Sequence, residues 1–371
     1  MSTAGDSGLG LAQLARNALV YADLWLARHL DRAPRTLPIL VIMFTDKCNL
    51  RCKMCGACDY SPGDHGMLSL EEWKRVIDSA AQLRTQIFSV TGGEAMLRRD
   101  VYELMAYARA KGMAIHLNSN GHTLTEANIA QLREAGVGTV SISIESADPA
   151  RHDFIRGEGA FAKTLEGLRR LRTLAPEIHI GLNVVMNKHT LPGLHKMVPL
   201  AEREGVQQVK FAPIHTNLQH KDKPLEDYVD IVFGEADLPA LDAELARIQD
   251  ALRNTRLQST SRRFFEGIRK LYLPPASNFY CYAGYAICTI DAQGNVAACF
   301  DKAGAQNVRE TPLDQIWRGR AFQEHRQLVR HCEKACWDTT NAELSLRMGL
   351  WGMLREPLQT LRDLRFYFAR R

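Results

Sequence analysis

The chain has 371 residues, of which 46% are hydrophobic and 24% charged, with 47 Lys and Arg against 42 Asp and Glu. That length exceeds the usual span of one domain, and the composition is that of a folded chain able to bury a core, which excludes extensive disorder. A net charge of +5 gives no reason to expect nucleic acid as a partner, and the longest apolar runs fall far short of the roughly 20 residues a membrane span needs.

Between Leu9 and Leu30 the residues Leu11, Leu14, Ala18, Tyr21 and Trp25 recur at steps of three and four, with Arg16, Asp23 and Arg28 off that stripe. This predicts an amphipathic helix, which either packs on the body of the protein or docks on a membrane surface. Charges spread through residues 1–36 exclude the apolar core of a signal peptide, so a cytoplasmic location is expected.

From residue 37 short apolar runs alternate with helix-period stretches. Strands are predicted at Leu37 to Phe44, Gln86 to Val90, Ala114 to Ser119, Gly138 to Ile144, Ile178 to Val185 and Gln207 to Ala212. Helices are predicted at Ser69 to Leu83, Asp100 to Lys111, Thr125 to Ala135, Ala162 to Leu174 and Leu194 to Glu204. Strands separated in this way by helices imply a parallel sheet with right-handed crossovers, open or closed into a full or partial barrel.

Directly after the first strand stand Cys48, Cys52 and Cys55, a C-x3-C-x2-C stretch. Three thiolates so spaced suit an iron–sulfur cube held on three of its irons, with the fourth open. Zinc on Cys52 and Cys55 is the alternative, although it gives no role to Cys48 or to Thr91-Gly92-Gly93-Glu94 after the second strand. Adjacent glycines permit close backbone approach to a ligand, and Glu94 can hold a cation. In parallel α/β units the chemistry collects at the carboxyl ends of the strands. Asn118-Ser119-Asn120-Gly121 ends the third strand, Ser141, Ser143 and Glu145 share one face along the fourth, and Asn183 lies at a comparable place on the fifth.

The cysteine stretch, with Gly-Gly-Glu one βα unit later, resembles the signature of the radical S-adenosylmethionine superfamily. The resemblance implies an α/β fold built as a six-stranded (βα)6 partial barrel. At its mouth it implies a 4Fe-4S cluster with one open iron on Cys48, Cys52 and Cys55. S-adenosylmethionine would bind there, its ammonium at Gly92, Gly93 and Glu94, with Asn120, Ser143, Glu145 and Asn183 beside the rest of the cofactor. Met54 departs from the aromatic residue many members carry, and its polarizable sulfur can pack on adenine instead. His215, Asn217, His220, Lys221 and Lys223 follow the sixth strand as a solvated loop that could overhang the mouth.

Leu238 to Leu252 reads as a helix bridging to a second cysteine group, Cys281, Cys288, Cys299, Cys332 and Cys336. The stretch Ile290 to Val296 predicts a hairpin turning at Gly294, and a helical stretch around Thr311 to Gln327 precedes Cys332. Four thiolates, Cys281, Cys299, Cys332 and Cys336, complete either a second iron–sulfur cube or a structural zinc set. Cys288 could replace one of them, and Cys58 has no assigned role. The order of cysteines, hairpin and helix resembles the twitch form of the SPASM/twitch branch of the superfamily, which implies one auxiliary 4Fe-4S cluster. The expected organisation is then an N-terminal helix and linker (1–36), the partial barrel (37–213), a loop and bridging helices (214–278), a twitch/SPASM-like domain (279–342) and a basic amphipathic tail (343–371). The tail could lie on an anionic bilayer or cover apolar surface of the protein itself.

The resemblance implies an enzyme. With an electron from a reducing donor such as flavodoxin or ferredoxin, it would cleave S-adenosylmethionine to a 5′-deoxyadenosyl radical that takes a hydrogen atom from substrate. The 47 residues before Cys48 read as one helix plus a linker rather than a leader-binding module. A small or lipid-linked substrate of sugar, cyclitol or polyol type is therefore expected, oxidised or rearranged with the help of the auxiliary cluster. Peripheral membrane contact through the termini accompanies that expectation. Maturation of a ribosomally made peptide or protein side chain is the alternative, and a non-catalytic iron–sulfur sensor or electron carrier is a reading of another class.

Overall fold

A computed structural model describes residues 11–56, 58, 65–214, 230–273, 279–302, 304, 306–333 and 336–348. His215, Asn217, His220, Lys221, Lys223 and the tail beyond residue 348 lie outside them. Seven parallel strands lie side by side in chain order: β1 (Ile39–Thr45), β2 (Ile87–Gly92), β3 (Ala114–Ser119), β4 (Thr139–Ser143), β5 (His179–Met186), β6 (Gln208–Pro213) and the short β7 (Gln258–Ser259). The first six are those the apolar runs predict. β1 shows why: Leu40, Val41, Ile42 and Phe44 are all buried, as in a sheet covered on both faces.

Helices α2 (Leu70–Gln82), α3 (Val101–Ala110), α4 (Glu126–Glu134), α5 (Pro149–Arg156), α6 (Ala160–Leu174) and α7 (Met197–Arg203) supply the crossovers. Ser69 starts α2 with a capping box to Glu72, and Thr125 caps α4 through the Asn128 N–H. The short α5 departs from the expected pattern. Asp148 caps it and Pro149 occupies its first turn, a start signal that needs no apolar period. Beyond β6, α8 (Leu238–Arg253) matches the predicted bridging helix, and α9 (Arg262–Ile268) follows it.

The C-terminal part joins the same sheet. β8 (Ile287–Ile290) pairs in parallel with β1, Ile39 opposite Ile287 and Ile42 opposite Ile290. β9 (Asn295–Ala297) and β10 (Gln306–Asn307) continue outward antiparallel, so among the described residues the predicted hairpin extends the barrel's sheet to ten strands. The single helix expected after Thr311 is two, α10 (Leu313–Arg318) and α11 (Arg320–Arg330), separated at Gly319. The last described helix is α12 (Ala342–Met348), whose Glu343 accepts from the Ser261 N–H and hydroxyl at 2.9 Å each.

The N-terminal helix α1 (Leu11–His29) packs on this part of the molecule, with Leu24 and Ala27 buried against Tyr282, Tyr285, Ala286 and Met348. Arg28 Nε donates to the Cys281 carbonyl at 3.1 Å. Packing on the protein body is thus the role the structure gives α1. No helix among the described residues is long and apolar enough to cross a membrane.

Candidate active site

The site begins where β1 runs into the cysteine loop. The Gly93 N–H donates to the Thr45 carbonyl and the Glu94 N–H to the Lys47 carbonyl, both at 2.8 Å. A Cβ on Gly93 would lie 1.9 Å from the Lys47 oxygen; one on Gly92, which has φ +122°, would lie 2.4 Å from the Thr45 oxygen. The close approach these glycines allow is therefore first of all between two stretches of main chain, which lock the strand-end loop to the root of the cysteine loop.

Glu94 is fully buried. Its carboxylate accepts from the Ser119 hydroxyl at 3.0 Å, the Asn120 N–H at 2.8 Å and the Thr123 hydroxyl at 3.1 Å. Every one of these donors is neutral, and burial pushes the carboxyl above its ordinary range. A buried carboxylate surrounded by neutral donors at a strand end suits a cationic ligand group, because a cation would offset the cost of its burial. Asn120 faces the cysteine loop, its Nδ2 donating to Asn49 Oδ1 at 2.7 Å.

Cys48, Cys52 and Cys55 are partly exposed. The Leu50 N–H donates to Cys48 Sγ at 3.4 Å, and Arg156 Nη1 to Cys52 Sγ at 3.9 Å. Burial pushes the Cys52 thiol up to about 11, opposed by the Arg156 charge. Cys58, unassigned by spacing, is hydrogen-bonded to both Cys48 and Cys55; its thiol is pushed up, while that of Cys48 is held down. Among the described residues no three His, Cys, Asp or Glu side chains converge on one point that could hold a single ion. An iron–sulfur cube asks for another arrangement, since each iron takes its own thiolate. Thiols set along a loop, with N–H donors aimed at their sulfurs, fit that requirement. Met54 is buried in the main core.

Glu145 does not line an open surface. It is fully buried, Oε1 accepts from Arg156 Nε and Nη2 at 2.8 and 2.5 Å, and Oε2 accepts from the Val185 N–H at 2.6 Å. Both oxygens are thus engaged by the protein, and its link to the site runs through Arg156. Ser143 and Asn183 are paired in register on β4 and β5, and Asn183 Nδ2 donates to Asn118 Oδ1 at 3.1 Å. A further polar chain lies along the strands: His116 Nε2 meets Ser141 Oγ at 2.8 Å and its Nδ1 meets Ser89 Oγ at 3.3 Å. Burial, and secondarily the Lys210 charge, lowers the His116 pKa to about 3 and keeps the ring neutral. His116 and Arg156 escape motif reading; a polar residue at an inward strand position is the signal for the first, and the Asp148-Pro149 helix start for the second.

In the second group the Cys336 thiol feels Cys281, Cys299 and Cys332, so the four expected thiols share one neighbourhood. The Ala283 N–H donates to Cys281 Sγ and the Asp301 N–H to Cys299 Sγ, each at 3.4 Å. This repeats the N–H to sulfur pattern of the first loop and fits a second cube. Burial pushes Cys281 up to about 12 and raises Cys299 and Cys336 as well. Cys288 stands apart, fully buried on β8, where the charged group acting on it is Arg326.

A profile of the Radical SAM superfamily matches residues 42–198, and one of the SPASM iron–sulfur cluster-binding domain matches residues 281–338. The AdoMet-dependent heme synthase of Nitratidesulfovibrio vulgaris is 30% identical over 301 residues, which cover 78% of this chain and 81% of that protein. The PqqA peptide cyclase of Rhizobium meliloti is 26% identical over 323 residues, 81% of each chain. Among solved structures, Streptococcus suis SuiB bound to S-adenosylmethionine shares the fold, with a TM-score of 0.63 at 15% identity over 86% of this chain and 73% of its own.

Proposed function

The chain belongs to the radical S-adenosylmethionine superfamily, in the branch that carries a SPASM iron–sulfur domain, and from that premise we propose that it is a maturase acting on the side chain of a peptide or protein. Its cofactors are a 4Fe-4S cluster, S-adenosylmethionine and an auxiliary iron–sulfur cluster. When bound, the first two supply a 5′-deoxyadenosyl radical that takes a hydrogen atom from substrate.

The residues of this chain divide the remaining work. Cys48, Cys52 and Cys55 would hold the first cluster, at which S-adenosylmethionine would bind. The main-chain lock at Gly92 and Gly93 fixes Glu94, whose buried carboxylate takes the cofactor's ammonium. Asn120 braces the cysteine loop through Asn49, and Ser143 with Asn183 forms a polar patch for the rest of the cofactor. Cys281, Cys299, Cys332 and Cys336 would hold the auxiliary cluster, which would supply one-electron chemistry. An external reducing protein such as flavodoxin or ferredoxin supplies the electron.

The observation that carries the peptide reading is the similarity to PqqA peptide cyclase along 81% of both chains. It favours the alternative over a sugar, cyclitol or polyol substrate. A second reading, a heme precursor as substrate, is favoured by the 30% identity to heme synthase. The test of the site is iron and zinc per chain after anaerobic reconstitution, for the parent and for the triple variant Cys48→Ala/Cys52→Ala/Cys55→Ala. About eight irons falling to about four supports two cubes with these three ligands; zinc in place of iron, or no fall, refutes them. The substrate is tested by 5′-deoxyadenosine formed above the uncoupled background with candidate precursor peptides and with iron porphyrins. Stimulation by porphyrins alone would replace the peptide reading with the heme one.

A further inference from the structure

Arg156 is the last residue of α5 and its side chain is buried. One edge of its guanidinium meets Glu145 Oε1 at 2.8 and 2.5 Å, while Nη1 reaches Cys52 Sγ at 3.9 Å. Glu145 is held in turn by the Val185 N–H at 2.6 Å, and its own N–H donates to His152 Nδ1 at 3.1 Å. Burial lowers the His152 pKa to about 3, so that ring adds no charge. The same helix end grips the cysteine loop a second way, through the Ile155 carbonyl, which accepts from the Lys53 N–H at 2.8 Å. A cation is thus fixed on one cysteine sulfur, an anion stands behind it, and the loop has an anchor independent of both side chains.

We propose that Arg156 raises the reduction potential of the cluster held by Cys48, Cys52 and Cys55, through its contact with the Cys52 sulfur, and that Glu145 aims Arg156 and moderates its charge. The inference rests on the ligand assignment proposed above. Reduction adds one electron to the cluster, and a cation hydrogen-bonded to a ligand sulfur stabilises that added charge. Glu145, one residue further from the sulfur along the same chain of contacts, opposes it more weakly. Arg156 and Glu145 are positioning residues, and their effects on the potential have opposite signs.

The test is an EPR-monitored potentiometric titration of the reconstituted full chain without S-adenosylmethionine. The relevant signal is identified as the one missing from the Cys48/Cys52/Cys55→Ala variant. Arg156→Gln should lower the midpoint, so that at the parent's midpoint the reduced-to-oxidised ratio falls about tenfold, equivalent to ~59 mV for one electron. Glu145→Gln should move the midpoint the other way. Arg156→Lys, which keeps the charge, should stay within about threefold of the parent, and the Arg156→Gln/Glu145→Gln pair should return towards it.

Unchanged midpoints at full iron content, or shifts of the same sign in both single variants, would overturn the proposal. Loss of iron from Arg156→Gln and Arg156→Lys alike would also overturn it, by making the arginine a support of the loop and no more. Persistence of the signal in the triple cysteine variant would refute the ligand assignment itself, and the inference with it.

Discussion

Replacing Gly93 by Ala sets a methyl group against two main-chain atoms that have nowhere to go. The added Cβ would stand 1.9 Å from the Lys47 oxygen and 2.5 Å from its carbonyl carbon, where non-bonded contact needs roughly 3.5 Å. The Lys47 carbonyl accepts from the Glu94 N–H at 2.8 Å, and the Lys47 N–H is tied to Thr45 Oγ1 at 3.1 Å, so rotation away costs hydrogen bonds. Overpacking typically costs about 1–3 kcal/mol, and each lost hydrogen bond adds about 1 kcal/mol. The expected destabilisation is therefore about 3 kcal/mol, roughly a hundredfold in the folded-to-unfolded ratio. Gly93 does not need a left-handed backbone, which separates this clash from conformational strain. Gly112 offers the converse control: its φ is +88° and nothing lies within 4 Å of an added Cβ, so Gly112→Ala should cost only about 1 kcal/mol. Urea unfolding followed by tryptophan fluorescence compares the two, and iron per chain reads the cysteine loop directly. Equal midpoints for the two variants, with full iron in Gly93→Ala, would refute the main-chain lock.

Two further outcomes follow from packing and burial. The unfolded chain protonates His116 below about pH 6.5, whereas the folded chain resists protonation until about pH 3. Folding therefore loses stability as pH falls through that window, and His116→Gln should lose less between pH 7 and 4.5 than the parent, measured as the change in urea midpoint; a steeper loss would contradict the neutral ring. A Cβ on Gly267 would lie 1.8 Å from the Trp337 ring, whose indole N–H donates to the Phe264 carbonyl at 2.8 Å. Gly267→Ala should thus displace Trp337 next to Cys336, cost about 2 kcal/mol and leave about four irons per chain, with retention of about eight as the refuting count.

The six parallel strands are legible because each is a short apolar run between helix-period stretches, and the cysteine spacing with Gly-Gly-Glu marks the site because both depend on local order along the chain. What stays hidden depends on partners remote in sequence. Ile287 to Ile290 carries no local sign that its neighbour is β1, some 250 residues earlier in the chain. α5 has Phe154 and Ile155 among Arg151, Asp153 and Arg156, too few apolar positions to show a period, so the residue that meets Cys52 lies in a helix the pattern does not reveal. Glu145 reads as a cofactor contact because its strand position is right, yet its two oxygens are taken by Arg156 and Val185. The glycines are legible as a place of close approach, while the identity of what approaches, the backbone at Thr45 and Lys47, is a property of the fold.

The pairing of β8 with β1 limits how this protein can be taken apart. Ile39 to Ile42, apolar and at the heart of the sheet, have β2 on one side and β8 on the other. Excision of the C-terminal segment would turn β1 into an unprotected border of bare N–H and C=O groups, the kind of edge that recruits other chains into aggregates. A chimera that exchanges the second cysteine group between relatives must therefore carry over a matched fourfold of strand residues as well as the thiols. A graft that omitted those strand residues would leave β1 without its neighbour on that side of the sheet.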